Sequence, residues 1–261
     1  MEAILLQTII PFILTCFIVI IIMYIAENYG TKVGGILGTI PSTVVIAFIF
    51  IAINKDLEFA SRSTAVVPAE IGANCIFLLL LVILANRSII LAFLTSLTAW
   101  AIISYIFIIV NLENIYISLV IYSVLLVFTF LYLERIKKIK SIPRVKVHYT
   151  LRKIIFRGVL AGIIISIAVV LSNIGTVISG IFSVFPAILS STMIISIREY
   201  GPDFAAGLAK SMVVGISSVV TYVTVIHFLY PSYGIIYGTL VAYAISIVVT
   251  IIILKLRSKI Q

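Results

Sequence analysis

Asn28-Tyr-Gly-Thr-Lys-Val-Gly-Gly-Ile-Leu-Gly-Thr-Ile-Pro41 is matched, 145 residues on and without a gap, by Asn173-Ile-Gly-Thr-Val-Ile-Ser-Gly-Ile-Phe-Ser-Val-Phe-Pro186. Asn28, Gly30, Thr31, Gly35, Ile36 and Pro41 recur as Asn173, Gly175, Thr176, Gly180, Ile181 and Pro186, while Gly34 and Gly38 give way to Ser179 and Ser183. The same offset pairs Glu58-Phe59-Ala60 with Asp203-Phe204-Ala205. The chain is therefore an internal duplication, with units covering roughly 5–110 and 150–255, and a repeat of this kind governs the fold.

The composition says where such a fold lives. Of 261 residues, 63% are apolar and 10% charged, against about 45–50% and about 25% in soluble domains. A bilayer core about 30 Å thick needs about 20 apolar residues per helix, so the chain supplies roughly nine spans and little aqueous domain. The apolar runs predict helices over 4–26, 33–53, 58–85, 88–110, 115–133, 154–172, 175–197, 203–229 and 234–254. The expected fold class is all-α, a polytopic transmembrane bundle of about nine helices. The third and eighth helices open on acids, Glu58 and Asp203, placed to cap free N–H groups and complement the helix dipole.

A single helix, 115–133, separates the two units of four. That odd helix starts the second unit on the opposite membrane face, so the repeats are predicted to be inverted about an axis in the membrane plane. The organisation is then residues 1–112 as the first repeat, 113–153 as the linking helix with a basic segment, and 154–261 as the second repeat.

Charge placement agrees with inversion. With the N-terminus outside, one face collects Lys32, Arg87, the linker cations from Arg135 to Lys153, Arg198, Lys255, Arg257 and Lys259, and the other only Lys55 and Arg62. The positive-inside rule puts the linker and C-terminus in the cytoplasm of a cell-membrane protein. The net charge of +9 is thus an orientation signal rather than a footprint for nucleic acid, and the expected partners are the bilayer and a small solute. Val145, Val147, Tyr149 and Leu151 alternate with polar residues in the linker, a pattern suited to the bilayer surface. Met1-Glu2 offers no basic leader and the first apolar run is as long as a span, so it reads as a first helix rather than a signal peptide. Cys16 and Cys75 lie in apolar runs and form no disulfide framework.

Several residues carry functional expectations. Gly30, Gly34 and Gly38 are spaced by four, as are Gly175, Ser179 and Ser183, and with Gly35 and Gly180 they read as helix-packing positions. Pro41 and Pro186 fall near mid-span, where each frees the carbonyl four residues back. Polar groups able to satisfy freed backbone at that depth are Thr39, Ser42 and Thr43 in one unit and Ser190, Ser191 and Thr192 in the other. Paired Gly/Pro breaks at matched positions point to a transporter's substrate site.

Glu70 stands about twelve residues into the third helix, near Pro68 and one turn before Asn74; a carboxylate that deep is costly unless protonated, paired or hydrated, which makes it a coupling candidate. Lys210, inside the eighth helix, has a stem long enough to snorkel to the interface. The counterpart of Glu70 is Gly215, so any carboxylate site is asymmetric. Asn28 and Asn173 end the first helices and serve as caps or ligand contacts. Glu27 and Lys32 form an expected interfacial pair, and His148 and His227 are too far apart for a metal cluster. No P-loop, Rossmann fingerprint, His-Glu-x-x-His or Gly-x-Ser-x-Gly occurs, so no soluble-enzyme activity, cofactor or metal is expected.

The Gly-x-x-x-x-Ile-Pro of Gly35 to Pro41 and the Gly-x-x-x-x-Phe-Pro of Gly180 to Pro186 resemble the stretch carried in single copy by the small GlpM-type inner-membrane proteins. The resemblance implies a fused pair of such units and brings no substrate or catalytic residue with it. The reading that joins these observations is a secondary transporter of a small solute, coupled to a proton or cation at Glu70. The alternatives are a channel and a non-transporting scaffold or assembly protein.

Overall fold

The structure, a computed structural model, describes residues 5–22, 40–139 and 150–259. Among these every regular element is helical. A π-helical turn, Leu5–Ile9, leads α1 (Gln7–Ile22). There follow α2 (Ser42–Asn54), α3 (Leu57–Thr64), α4 (Val67–Leu84), α5 (Ile89–Ile109) and α6 (Ile115–Leu131), which runs into a second π turn, Tyr132–Ile136. After the linker come α7 (Leu151–Leu171), α8 (Thr176–Ser183), α9 (Ala187–Tyr200), α10 (Pro202–Gly215) and α11 (Ser217–Lys259).

Local chemistry sets these boundaries. Asp56 caps α3, its carboxylate accepting from Phe59 N–H at 2.7 Å; Glu58, expected at the cap, sits in the first turn instead. Asn114 caps α6 by accepting from Tyr116 and Ile117 N–H at 3.0 and 3.2 Å. Asn111 takes a left-handed conformation, φ 45°, which a short polar side chain tolerates best after glycine. Gly201 precedes Pro202 and Asp203 at the start of α10, and Gly234, φ 79° and ψ 176°, breaks α11.

Among the described residues six segments are long and apolar enough to cross a membrane: Leu57–Leu84, Ile89–Ile109, Ile115–Ile136, Leu151–Leu171, Thr176–Tyr200 and Pro202–Ile253. This is a coarser result than nine spans. The described parts of α1 and α2 are shorter than a span, the residues between them, 23–39, lying outside the described ones, and α10 with α11 forms one segment broken at Gly234. The chain is an all-helical protein with the features of a multi-pass membrane protein.

The segment α3 to α4 is the axis of the bundle: 83% of its apolar window is buried, against 22% for α5 and for α6. α4 packs on α5, α6 and α10, while α3 packs on α8 and α11. α5 and α6 turn Ile90, Leu94, Ile102, Val120 and Val124 outward; a broad apolar exterior suits a lipid solvent. α1 lies against α7 through a Gly-x-x-x-Gly pair: a Cβ at Gly162 would stand 2.8 Å from Cys16 Sγ and 2.9 Å from the Phe12 carbonyl oxygen, and one at Gly158 3.1 Å from the Cys16 carbonyl oxygen. Only glycine lets these two backbones meet so closely.

Polar ties gather at the two ends. At one end Gln7 bonds Asn54, Asn54 Nδ2 donates to Ser172 Oγ at 2.6 Å, and Arg62 reaches Glu113 at 2.6 Å while Thr176 also bonds Glu113. At the other, Lys153 pairs with Glu199 and Lys210 with Glu134.

Candidate functional site

Proline removes a helix donor, and at Pro186 the consequence is a full break rather than a kink. α8 stops at Ser183 and α9 starts at Ala187. Pro41 stands before α2 with φ −73° and ψ 38°, and Pro186 before α9 with φ −75° and ψ 37°. The following residue closes the same tight turn in both places, Ser42 N–H to Ile40 O and Ala187 N–H to Phe185 O, each 2.7 Å. Two prolines 145 residues apart thus hold one backbone geometry.

The freed Phe182 carbonyl is taken up by the chain itself, accepting from Phe185 N–H at 3.3 Å. This corrects the expectation that hydroxyls would satisfy it. Ser190 Oγ donates to Pro186 O at 2.6 Å and Ser191 Oγ to Ile188 O at 3.1 Å, so both bond within α9.

The proline turn that starts α2 and the break at Pro186 front one cavity of ≈ 80 Å³. Ile40, Pro41, Thr43 and Val44 line it from the start of α2, and Ser183, Val184, Phe185, Ala187, Ile188 and Leu189 from the second break. Ile71 and Asn74 of α4, Ala161, Ile164 and Ile165 of α7, and Ile216 and Val219 close it. Pro186 is buried between two lining neighbours, and Ser42 stands beside the lining residues.

Asn74 is the polar centre of this wall. Its Nδ2 donates to Val184 O at 2.9 Å, and because that partner is a pure acceptor the amide orientation follows. Its Oδ1 is buried with no hydrogen-bond partner. One turn earlier on α4, Glu70 is fully buried. Its Oε1 accepts from Ser104 Oγ at 2.7 Å, and Oε2 has no partner in hydrogen-bond geometry. The Trp100 indole nitrogen interacts with the carboxyl without meeting that geometry. Trp100 also packs edge-on against Phe185, centroids 5.0 Å apart. Glu70 does not line the cavity, yet it is joined to it through Asn74 along α4 and through Trp100 to the second break.

Other expected site residues lie elsewhere. Asn173 ends α7, and its Nδ2 donates to Gln7 Oε1 at 3.2 Å at the bundle end. Lys210 is buried but turns away from the cavity, its Nζ donating to Ile139 O at 2.8 Å beside Glu134. Gly175 has open space around it, which corrects its reading as a packing residue. Gly180 is one: a Cβ there would stand 2.2 Å from the Ser63 carbonyl oxygen. Ser179 and Ser183 bond Ala168 O and Gly180 O at 3.0 and 2.6 Å. Asn28, Gly30, Gly34, Gly35, Gly38, Thr39, Glu27, Lys32 and His148 lie outside the described residues.

Sequence reading passed over Arg157. This guanidinium is 2% exposed, bonds Thr192 through Nη2, and rides α7 one turn from the cavity-lining Ala161. Its signal was available, since it follows Arg152 and Lys153 but sits a turn deeper in apolar sequence. His227, read as a residue near a helix end, has Nδ1 2.9 Å from both Ser61 O and Thr64 Oγ1, locking α11 to α3. Among the described residues no cluster of His, Cys, Asp or Glu is placed to hold a metal.

No protein-family model, no curated protein and no solved structure matches this chain.

Proposed function

We propose that the chain is a secondary transporter of a small solute, built from two inverted repeats and working by alternating access at the cavity between the proline breaks. The observation that carries the reading is the pair of proline turns at Pro41 and Pro186 that start α2 and α9, alike in backbone angles and facing one cavity. Interrupted helices at matched positions are how inverted-repeat transporters expose backbone to a ligand at bilayer depth. The end ties support inversion. Asn54 and Glu199 are counterparts at the 145-residue offset, and their bonds to Gln7 and Lys153 fall at opposite ends of the bundle. A membrane orientation with the N-terminus outside and the linker inside follows from the cation distribution.

Glu70 is the coupling residue in this reading. A buried carboxyl with one oxygen bonded and one open is suited to gaining and losing a proton as the neighbouring helices shift. Thr43, Val44, Asn74 and Phe185 line the solute's path. The test is uptake into proteoliposomes driven by a pH gradient. Saturable uptake that loses its pH-gradient dependence in Glu70→Gln supports the reading, and gradient-driven uptake unchanged in that variant removes the coupling role. Flux rising without saturation points to a channel.

A further inference from the structure

The helices that begin at the two breaks lack the caps that helix ends ordinarily have. Neither α2 nor α9 has a side-chain cap at its N-terminus, although Pro41, Val44, Ala187 and Leu189 are all buried. The backbone ladder resumes only at Val45 N–H to Pro41 O, 2.9 Å, and Ser190 N–H to Pro186 O, 2.8 Å. First-turn N–H groups point back along the helix axis and carry a partial positive charge. Here both sets point to the breaks, and the first turns of both helices line the same cavity.

At the second break the opposing helix end does not cancel this. The carbonyls of Gly180, Ile181, Phe182 and Val184 at the end of α8 accept from Ser183 Oγ, Val184 N–H, Phe185 N–H and Asn74 Nδ2. At the wall stand the Thr43 hydroxyl and an unpartnered acceptor of fixed position, Asn74 Oδ1, on a side chain 1% exposed. Apart from Ser183, whose hydroxyl is bonded to Gly180 O, the rest of the described lining is apolar, including Ile71, Ile164, Ile165 and Val219. The volume of ≈ 80 Å³ is that of about three waters at liquid packing.

We propose that this cavity binds a small carboxylate with a hydrogen-bond donor, hydroxyl or ammonium, on the adjacent carbon and a short apolar side chain. The paired helix N-termini receive the carboxylate, Asn74 Oδ1 accepts from the donor, and the isoleucines and Val219 hold the side chain. The proposal rests on the transporter reading only in calling the occupant a substrate.

Trp100 is the only tryptophan in the chain and touches Phe185 of the lining, so its emission reports on the cavity. The purified full chain in nanodiscs is titrated, at constant ionic strength, with 2-hydroxybutyrate, 2-aminobutyrate, butyrate and 1,2-butanediol. The expected result is a saturable change with one or both of the first two. Binding of butyrate and of the diol is expected to be at least about tenfold weaker, the usual consequence of leaving a buried polar group unmatched. The hydroxyl and ammonium arms identify which donor is used. In Asn74→Leu the advantage of the donor-bearing acids over butyrate is expected to vanish.

Butyrate or the diol binding as tightly as the donor-bearing acids in the unaltered chain overturns the proposal, as does the absence of a saturable response to all four. A second measurement separates this from failure of the transport reading. Thr43→Cys, in a chain carrying Cys16→Ala and Cys75→Ala, is treated with an impermeant thiol reagent in vesicles of both orientations. Reaction from both sides without acid binding removes the substrate class and leaves the transporter; acid binding with reaction from one side only does the reverse.

Discussion

Replacing Gly180 by alanine tests whether α8 and α3 meet as closely as the structure requires. A Cβ at Gly180 would lie 2.2 Å from the Ser63 carbonyl oxygen and 2.6 Å from Val66 Cγ1. Ordinary carbon-to-oxygen contact is about 3.3–3.6 Å, and Ser63 O is backbone, so the helices themselves must separate. Overpacking of this kind costs about 1–3 kcal/mol, while alanine in a helix interior recovers about 0.8–1.0 kcal/mol relative to glycine. Because the obstacle is main chain, the upper part of the overpacking range applies and the net loss is about 1–2 kcal/mol, a factor of about 5–30 in the folded-to-unfolded ratio. The assay is reversible unfolding in mixed micelles of increasing SDS fraction, followed by Trp100 emission. The control is Gly175→Ser, where nothing lies within 4 Å and φ is 172°, extended backbone open to any residue. A serine there is expected to be neutral or stabilising by a few tenths of a kcal/mol as an N-cap. Gly180→Ala as stable as the parent would refute the close approach and, with it, the placement of the second break against α3.

Further outcomes follow from single residues. Asp56→Ala removes the cap of α3 and is expected to lower stability by about 1 kcal/mol, measured by the same unfolding; no change would show that the cap is dispensable. Lys210→Met is expected to be tolerated better than Glu134→Ala, because the second change leaves a buried ammonium without its acid; thermal stability of the two variants in detergent decides. Burial opposes ionisation of Glu113, but its bonds from Thr176 and Arg62 and the charge of Arg62 outweigh this and hold the carboxyl below the usual carboxylate range. A depressed value in the folded state contributes stability that is complete above the unfolded value, about 4.3 for a glutamate, and lost as pH falls through the lower folded one. Unfolding measured from pH 6 to pH 3 should therefore show an acid-side loss that is smaller in Glu113→Gln, and equal slopes would remove the role.

The legible parts of this fold are those where one residue dictates the backbone. Pro186 could be read as a break, and Pro41 as a point where a helix starts afresh, because a missing N–H and a blocked carbonyl admit few outcomes. Glu70 stood out because a charge in an apolar run needs a reason. The fracture at Ala65 and Val66 between α3 and α4 was not anticipated, although Pro68 in the first turn of α4 was its signal. Glycine spacing misled in a specific way. Small residues four apart permit a close approach without naming the helix that makes it, so Gly175 was credited and Gly158 with Gly162, which touch α1, were passed over. The cavity was legible only as a meeting of two breaks. Its neutral lining, the acceptor of Asn74 and the path from Glu70 through Trp100 to Phe185 depend on which helices become neighbours, and local sequence does not carry that information.

The fracture of the third helix has a consequence of its own. At the 145-residue offset the counterparts of Ala65 and Val66 are Lys210 and Ser211, yet the later helix stays whole there and yields at Ile216. Two copies that bend at unequal heights do not swap roles on equal terms, so the resting populations of any two postures they share will differ. Under the proposed transport reading, an empty molecule of this build leans to one side of the bilayer before any cargo arrives, and the lean is written into the chain rather than imposed by what it carries.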